Sequence, residues 1–207
     1  MGEVAWYDGG EAGVNGLPDL SDLPERGAVV LITGGRRVGK TTLLLAVRQA
    51  ALAAGLSVGG VLSVARFSGA EKTGIDVMDA ASGARRPLAT ATGTPRGPIH
   101  TGHYTFDADG LAAGLSWAGA GQGADLFIVD ELGPLELVKG EGWAPVLPMI
   151  RARRFGVALV VVRPELLDQA QQALDLSPNA LVIRVTPDTQ PRWIEGLSAW
   201  IAGRARG

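Results

Sequence analysis

Two short stretches of this 207-residue chain hold residue types whose spacing suits phosphate chemistry. The first is Gly34-Gly35-Arg36-Arg37-Val38-Gly39-Lys40-Thr41, which matches the phosphate-binding loop pattern G-x-x-x-x-G-K-[ST]. Gly34 and Gly39 let the backbone curl until successive N–H groups point inward at phosphate oxygens. The positive end of a following helix adds to the same field. Lys40 supplies a mobile charge for the β- and γ-phosphates, and the Thr41 hydroxyl can ligate Mg²⁺. Contacts to a nucleoside triphosphate are expected along the whole run Gly34, Gly35, Arg36, Arg37, Val38, Gly39, Lys40, Thr41 and Thr42.

The second stretch is Asp130-Glu131, at the end of the apolar run Leu126-Phe127-Ile128-Val129. An acid at the end of a buried strand is the natural partner of a phosphate loop. Asp130 would sit across from Thr41 and hold Mg²⁺, commonly through water. Glu131 is more informative, because a carboxylate beside the metal-holding acid can orient and polarise a water for attack on the γ-phosphorus. Hydrolysing ATPases often place a glutamate there, whereas kinases have no need of a water-activating acid.

These groups work only if the right elements hold them. The β-branched run Ala28-Val29-Val30-Leu31-Ile32-Thr33 precedes the loop, and Thr42-Leu43-Leu44-Leu45-Ala46-Val47 continues a helix expected to end near Gly55. Further strands are expected at Gly59–Val64, Val157–Val162 and Leu181–Val185. Tyr104 and Phe106 read as a short strand, with Asp109 capping a helix through Trp117. Helices are expected over Trp143–Arg154 and Pro164–Leu174. Trp193, Leu197, Trp200 and Ile201 fall at helical spacing and read as a core stripe. The β–α alternation argues for a mostly parallel sheet with helices on both faces. An inserted β-hairpin is expected where Gly74–Asp79 alternates, Ser82-Gly83 turns and Arg86–Ala89 resumes. Ala91–His103, rich in Thr, Gly and Pro, reads as a mobile loop. Residues 1–27 carry few apolar anchors and read as an N-terminal extension, pinned by Trp6 and Tyr7, to a domain spanning 28–207.

Composition narrows the function classes. A net charge of −2 and a pI near 5.7 argue against a broad nucleic-acid face. The chain has no cysteine, so neither a disulfide framework nor a thiolate metal site is available. The stretch beginning at Met1 lacks the basic start and apolar core of a leader, and the apolar runs are too short and broken to span a membrane. A cytoplasmic protein is the default expectation. His100 and His103 have no further ligand candidates at metal-site spacing.

The ordered set of motifs resembles a known family. Ile32–Leu43, Ile128-Val129-Asp130-Glu131-Leu132-Gly133-Pro134-Leu135-Glu136-Leu137, Gly60-Val61-Leu62-Ser63, Gly74-Ile75-Asp76-Val77 and Arg86-Pro87-Leu88-Ala89 are similar to the small thermophile-type nucleoside-triphosphatases, also called cancer-related NTPases. The resemblance covers about Ala28 to Val185. It implies an α/β phosphate-loop NTPase fold with a RecA-like core and Mg²⁺-dependent hydrolysis of several nucleoside triphosphates. It assigns the site to Gly34, Gly39, Lys40, Thr41, Asp130 and Glu131. The chain departs from the family at Arg37, where glycine is usual, and at Val64 and Ala65, where acidic residues are common.

The resulting expectation is a nucleoside-triphosphate phosphohydrolase of low base specificity, with Lys40 and Glu131 as catalytic residues and Thr41 and Asp130 as metal ligands. Two rivals stand beside it: a nucleotide or small-molecule kinase with the Arg85–Arg96 region as a lid, and a slow nucleotide-gated switch. Neither an LSGGQ-type signature before Asp130 nor an N-K-x-D base-reading motif is present. Arg37 and Arg163 are the arginines best placed to stabilise charge near the γ-phosphate. The sequence names no nucleic-acid or protein partner.

Overall fold

The computed structural model describes residues 6–7, 20, 23–91, 99–101, 104–176 and 180–206. In chain order the described elements begin with β1 (Trp6–Tyr7), β2 (Ala28–Thr33) and α1 (Lys40–Ala53). An antiparallel region follows: β3 (Val58–Ser68), β4 (Glu71–Asp79), β5 (Arg85–Thr90), β6 (Ile99–Thr101) and β7 (Tyr104–Phe106). The chain then forms α2 (Ala108–Ala120), β8 (Leu126–Leu132), α3 (Val146–Arg151), β9 (Val157–Val162), α4 (Leu167–Ala173), β10 (Val182–Arg184) and α5 (Gln190–Gly203).

One mixed sheet joins the strands in the order β1-β10-β2-β9-β8-β3-β4-β5-β7-β6. From β1 to β3 every neighbouring pair is parallel, and from β3 to β6 every pair is antiparallel. β9 separates the strand that feeds the phosphate loop from β8, which carries Asp130-Glu131 and runs on to Leu132. The parallel strands are buried on both faces, which explains their unbroken apolar sequences. On one face Val30, Ile32, Ile128 and Leu159 pack against α1 and α5 through Leu44, Val47, Trp193 and Leu197. On the other Leu31, Phe127, Val129 and Val160 pack against α2, α3 and α4 through Leu111, Ile150 and Leu167. Trp200 lies at the rim, with the Arg204 guanidinium 4.9 Å from its ring.

The expected hairpin is present as β4 and β5, but β3 is longer than its apolar half announces. Its outer part pairs with β4 through Ser68, giving an antiparallel extension rather than a lone insertion. Arg48 of α1 ties that extension to the core by donating to the carbonyls of Ala80 and Ala81 at 2.6 and 3.1 Å.

Several boundaries differ from expectation for local reasons. Asp107, not Asp109, caps α2, with its carboxylate accepting from Gly110 N at 2.8 Å. Asp107 N still pairs with Leu88 O at 2.8 Å, so the sheet sets where the helix begins. The helix expected over Trp143–Arg154 is only α3: Pro145 precedes it, and Pro148 sits in its first turn, where its missing N–H costs no intrahelical hydrogen bond. The first turn expected at Pro164 is 3₁₀ through Leu166 before α4 begins. Within the expected loop Ala91–His103, Ile99–Thr101 form β6, while Arg96 and His103 lie outside the described residues. Trp6 and Tyr7 of the N-terminal extension pair with Val182 and Ile183, adding an edge strand. Among the described residues no helix is long and apolar enough to cross a membrane.

Candidate active site

The phosphate loop joins β2 to α1, and its backbone explains its sequence. Gly34 has φ +142 and Gly39 has φ +89, conformations that side chains rarely adopt. Space forbids side chains there as well. A Cβ on Gly34 would collide with the Val185 carbonyl, and one on Gly39 with the Gln190 amide, whose Nε2 donates to Gly39 O at 3.3 Å. Arg37 also takes a positive φ, +62, which accounts for the glycine usual at that position. Its side chain is exposed and makes no hydrogen bond or ion pair among the described residues. Arg36 is exposed too.

Lys40 folds back over the loop, donating to the carbonyls of Gly34 and Gly35 at 2.8 and 2.6 Å. Burial lowers its pKa, and the Glu131 carboxylate is the largest influence opposing that shift, followed by Asp130. Lys40, Asp130 and Glu131 therefore share one electrostatic neighbourhood. Thr41 Oγ1 donates to Asp130 Oδ2 at 2.8 Å across 89 residues of chain. Ser63 supports the same carboxylate: its N–H donates to Oδ2 at 3.2 Å and its hydroxyl to Asp130 O at 2.8 Å. Asp130 is only 3% exposed, and burial pushes its pKa up to about 6.

The position of Glu131 rests on a defect in β8. Val129 pairs with Val160, but the next pair is Leu132 with Val162, so two residues of β8 oppose one of β9. That is a β-bulge. Its effect shows in the packing, because Phe127 and Val129 face the α2–α4 side and Leu132, three residues past Val129, faces it too. Without the bulge, alternation would send Glu131 into that apolar layer while Asp130 faced α1. With it, both carboxylates stay near Lys40. The bulge holds Glu131 at φ +107, a region that costs a non-glycine residue about 1–3 kcal/mol.

Beyond the bulge, Glu136 closes the following turn, its two carboxylate oxygens accepting from Gly133 N at 2.9 Å and Trp143 N at 3.1 Å. Burial raises its pKa against those two bonds. Arg163, at the end of β9, donates through Nε to Glu131 Oε1, and both side chains are a little over a third exposed.

The structure thus brings together Gly34, Gly39, Lys40, Thr41, Asp130 and Glu131, while Arg36 and Arg37 are exposed and form no ion pair among the described residues. Sequence reasoning missed Ser63 and Gln190, whose long-range contacts with Asp130 and Gly39 leave no local pattern, and Glu136, which closes the turn after the acids. For Arg163 the available signal was its place one residue beyond the best core strand, next to the acid strand.

Asp130 fits a Mg²⁺ ligand. Both of its side-chain hydrogen bonds go to Oδ2, and Oδ1 accepts none among the described residues. A buried carboxylate penalised by desolvation gains most from a hard cation, and Thr41 is already on its other oxygen.

The bulge predicts an inverted glycine effect. At an ordinary strand position glycine is less stable than alanine by about 0.5–1 kcal/mol. At residue 131 the positive φ reverses the sign, and Glu131→Gly is expected to be more stable than Glu131→Ala by about 1 kcal/mol. Urea denaturation of the two variants measures this, and alanine proving equal or better would contradict the backbone described.

Comparison with known proteins places this site in a family. The family model described as NTPase matches residues 29–193. The nucleoside-triphosphatase THEP1 of Caldivirga maquilingensis is 30% identical over 132 residues, covering 64% of this chain and 74% of that protein. The THEP1 of Methanopyrus kandleri is 36% identical over 109 residues, 52% of this chain and 59% of that protein. The solution structure of a human cancer-related nucleoside triphosphatase superposes with a TM-score of 0.64 at 21% identity, covering 84% of this chain and 97% of that one. The crystal structure of THEP1 from Aquifex aeolicus gives a TM-score of 0.60 at 19% identity, with 84% and 98% covered; these two likenesses concern the fold. The chain belongs to the NTPase family, that of the THEP1-type nucleoside-triphosphatases, and is itself a nucleoside-triphosphatase.

Proposed function

We propose that this chain hydrolyses nucleoside triphosphates to diphosphate and phosphate in a Mg²⁺-dependent reaction, with Glu131 activating the water and little discrimination among bases. The observation that supports this reading is the bulge that turns Glu131 toward Lys40 beside Asp130, at a cost in backbone strain. A water-activating acid is needed for hydrolysis and not by a kinase, whose carboxylate would instead take the proton of an acceptor hydroxyl.

Each residue has a chemical task. The backbone N–H groups between Gly34 and Thr41 cradle the phosphates, and Lys40 exchanges its bonds with the Gly34 and Gly35 carbonyls for phosphate oxygens. Thr41 and Asp130 would hold Mg²⁺, which when bound neutralises phosphate charge. Glu131 accepts the proton of the attacking water, and Lys40 offsets charge on the phosphoryl oxygens. With contacts concentrated on the phosphates, nothing in this set reads the base. A cytosolic setting suits the absence of cysteine and the use of nucleotides.

Two outcomes test the reading. Glu131→Gln should retain nucleotide and Mg²⁺ binding yet lose about 10²–10⁴ in single-turnover hydrolysis, the usual cost of removing a general base. Hydrolysis near the parental rate would reject Glu131 as the base. In the parent, kcat/KM for ATP, GTP, CTP and UTP should agree within about a thousandfold, or roughly 4 kcal/mol. A wider spread would reveal a base-reading pocket.

A further inference from the structure

Arg163 belongs to no part of the phosphate loop and holds no nucleotide group described above, yet its guanidinium is joined to the Glu131 carboxylate. The sheet accounts for the encounter. Val161 stands opposite the two unpaired residues of β8 and Val162 pairs with Leu132 just past them, so Arg163, the first residue after β9, comes level with Gly133, and its side chain reaches back to Glu131. Arg163 has extended backbone dihedrals, φ −68 and ψ 144, as the chain leaves β9 for the 3₁₀ turn Pro164–Leu166. Its Nε and Nη2 both lie 3.9 Å from where a Gly133 Cβ would stand, and Glu136 Oε2, which accepts from Gly133 N, lies 3.6 Å from the same point. Glu131 and Arg163 both act on the Lys40 ammonium, with opposite sign, so the pair lies within the field of the phosphate site.

The bonding pattern is selective. Arg163 uses Nε, and it engages Oε1 of Glu131 only. Oε2 is left without a hydrogen bond among the described residues, as a general base requires. The bulge sets where the Glu131 backbone points, but a glutamate side chain keeps three rotatable bonds beyond it. A pair more than a third exposed on both sides adds little to stability. Its use lies in fixing the side chain.

We propose that Arg163 is a positioning residue for the proposed general base: it anchors Glu131 Oε1 so that Oε2 faces the attacking water. The inference rests on the assignment of Glu131 made above. It also separates Arg163 from the alternative role of an arginine finger, which would act on the γ-phosphate directly. Arg163 works through Glu131, so removing both residues costs no more than removing the carboxylate alone.

A double-mutant cycle read by single-turnover ATP hydrolysis decides the matter, with nucleotide affinity measured in every variant. Arg163→Ala is expected to lower the rate about 10–100-fold, since misplacing a reacting group by about an ångström carries a cost of that order. Nucleotide affinity should stay within about threefold, because the pair touches no ground-state phosphate contact. Arg163→Lys, which can still meet the carboxylate through one donor, should recover part of the loss. In the Glu131→Gln background, Arg163→Ala should change the rate by less than about threefold. Multiplicative losses in the double variant would overturn the positioning role and show a direct contact with the phosphoryl group. An Arg163→Ala rate within twofold of the parent would also overturn it. A parental rate for Glu131→Gln alone would reject the base assignment and this inference together, whereas a normal loss there with multiplicative losses rejects this inference alone.

Discussion

Adjacent residues of a β-strand point to opposite faces of its sheet, and this site needs two adjacent carboxylates on the same side. The chain meets that constraint by breaking its own strand. The bulge at Asp130-Glu131 shifts the register against β9, turns Leu132 back into the apolar layer and leaves both acids by the phosphate loop. Positive φ at Glu131 is the cost, about 1–3 kcal/mol of local strain. The surrounding sheet tolerates it because β8 is clamped between β3 and β9, with neighbours buried on both faces.

The other parts of the site lean on that placement. Asp130 reaches Thr41 because regular alternation up to Val129 already faces it toward α1, and Ser63 of β3 closes the gap on its far side. Burial disfavours its charge, so this carboxylate is poised for a cation rather than for solvent. The phosphate loop carries strain of its own at Arg37, an exposed αL residue, in addition to its two required glycines. Arg163 and Glu136 brace the turn where β8 ends, one from the neighbouring strand and one from the segment that follows.

Much of this was legible in the sequence. The phosphate loop and the Asp130-Glu131 strand end could be read because each is a local pattern in its required context. The parallel strands could be read because burial on both faces imposes unbroken apolar runs, as in Val157–Val162. Boundaries set by tertiary hydrogen bonds were not legible. Asp107 and Asp109 are equally good caps in sequence, and only the Asp107 bond to Leu88 chooses between them. The full length of β3 depends on its pairing with β4, the next strand, and the bulge depends on the register with β9, which is distant in sequence. Ser63 and Gln190 were invisible for the same reason. Arg37 was read as a departure from the family, and its φ of +62 supplies the reason glycine is usual there.

The central claim is that the carboxylate placed by the bulge acts on water. Single-turnover hydrolysis of ATP in water enriched in ¹⁸O, with no acceptor added and the released phosphate analysed by mass, tests it most directly. Attack by water puts one solvent oxygen into each phosphate released. Phosphate that forms without solvent oxygen would contradict attack by water at the γ-phosphorus, and a γ-phosphoryl group that leaves ATP only when an alcohol or a second nucleotide is supplied would identify the site as that of a phosphotransferase.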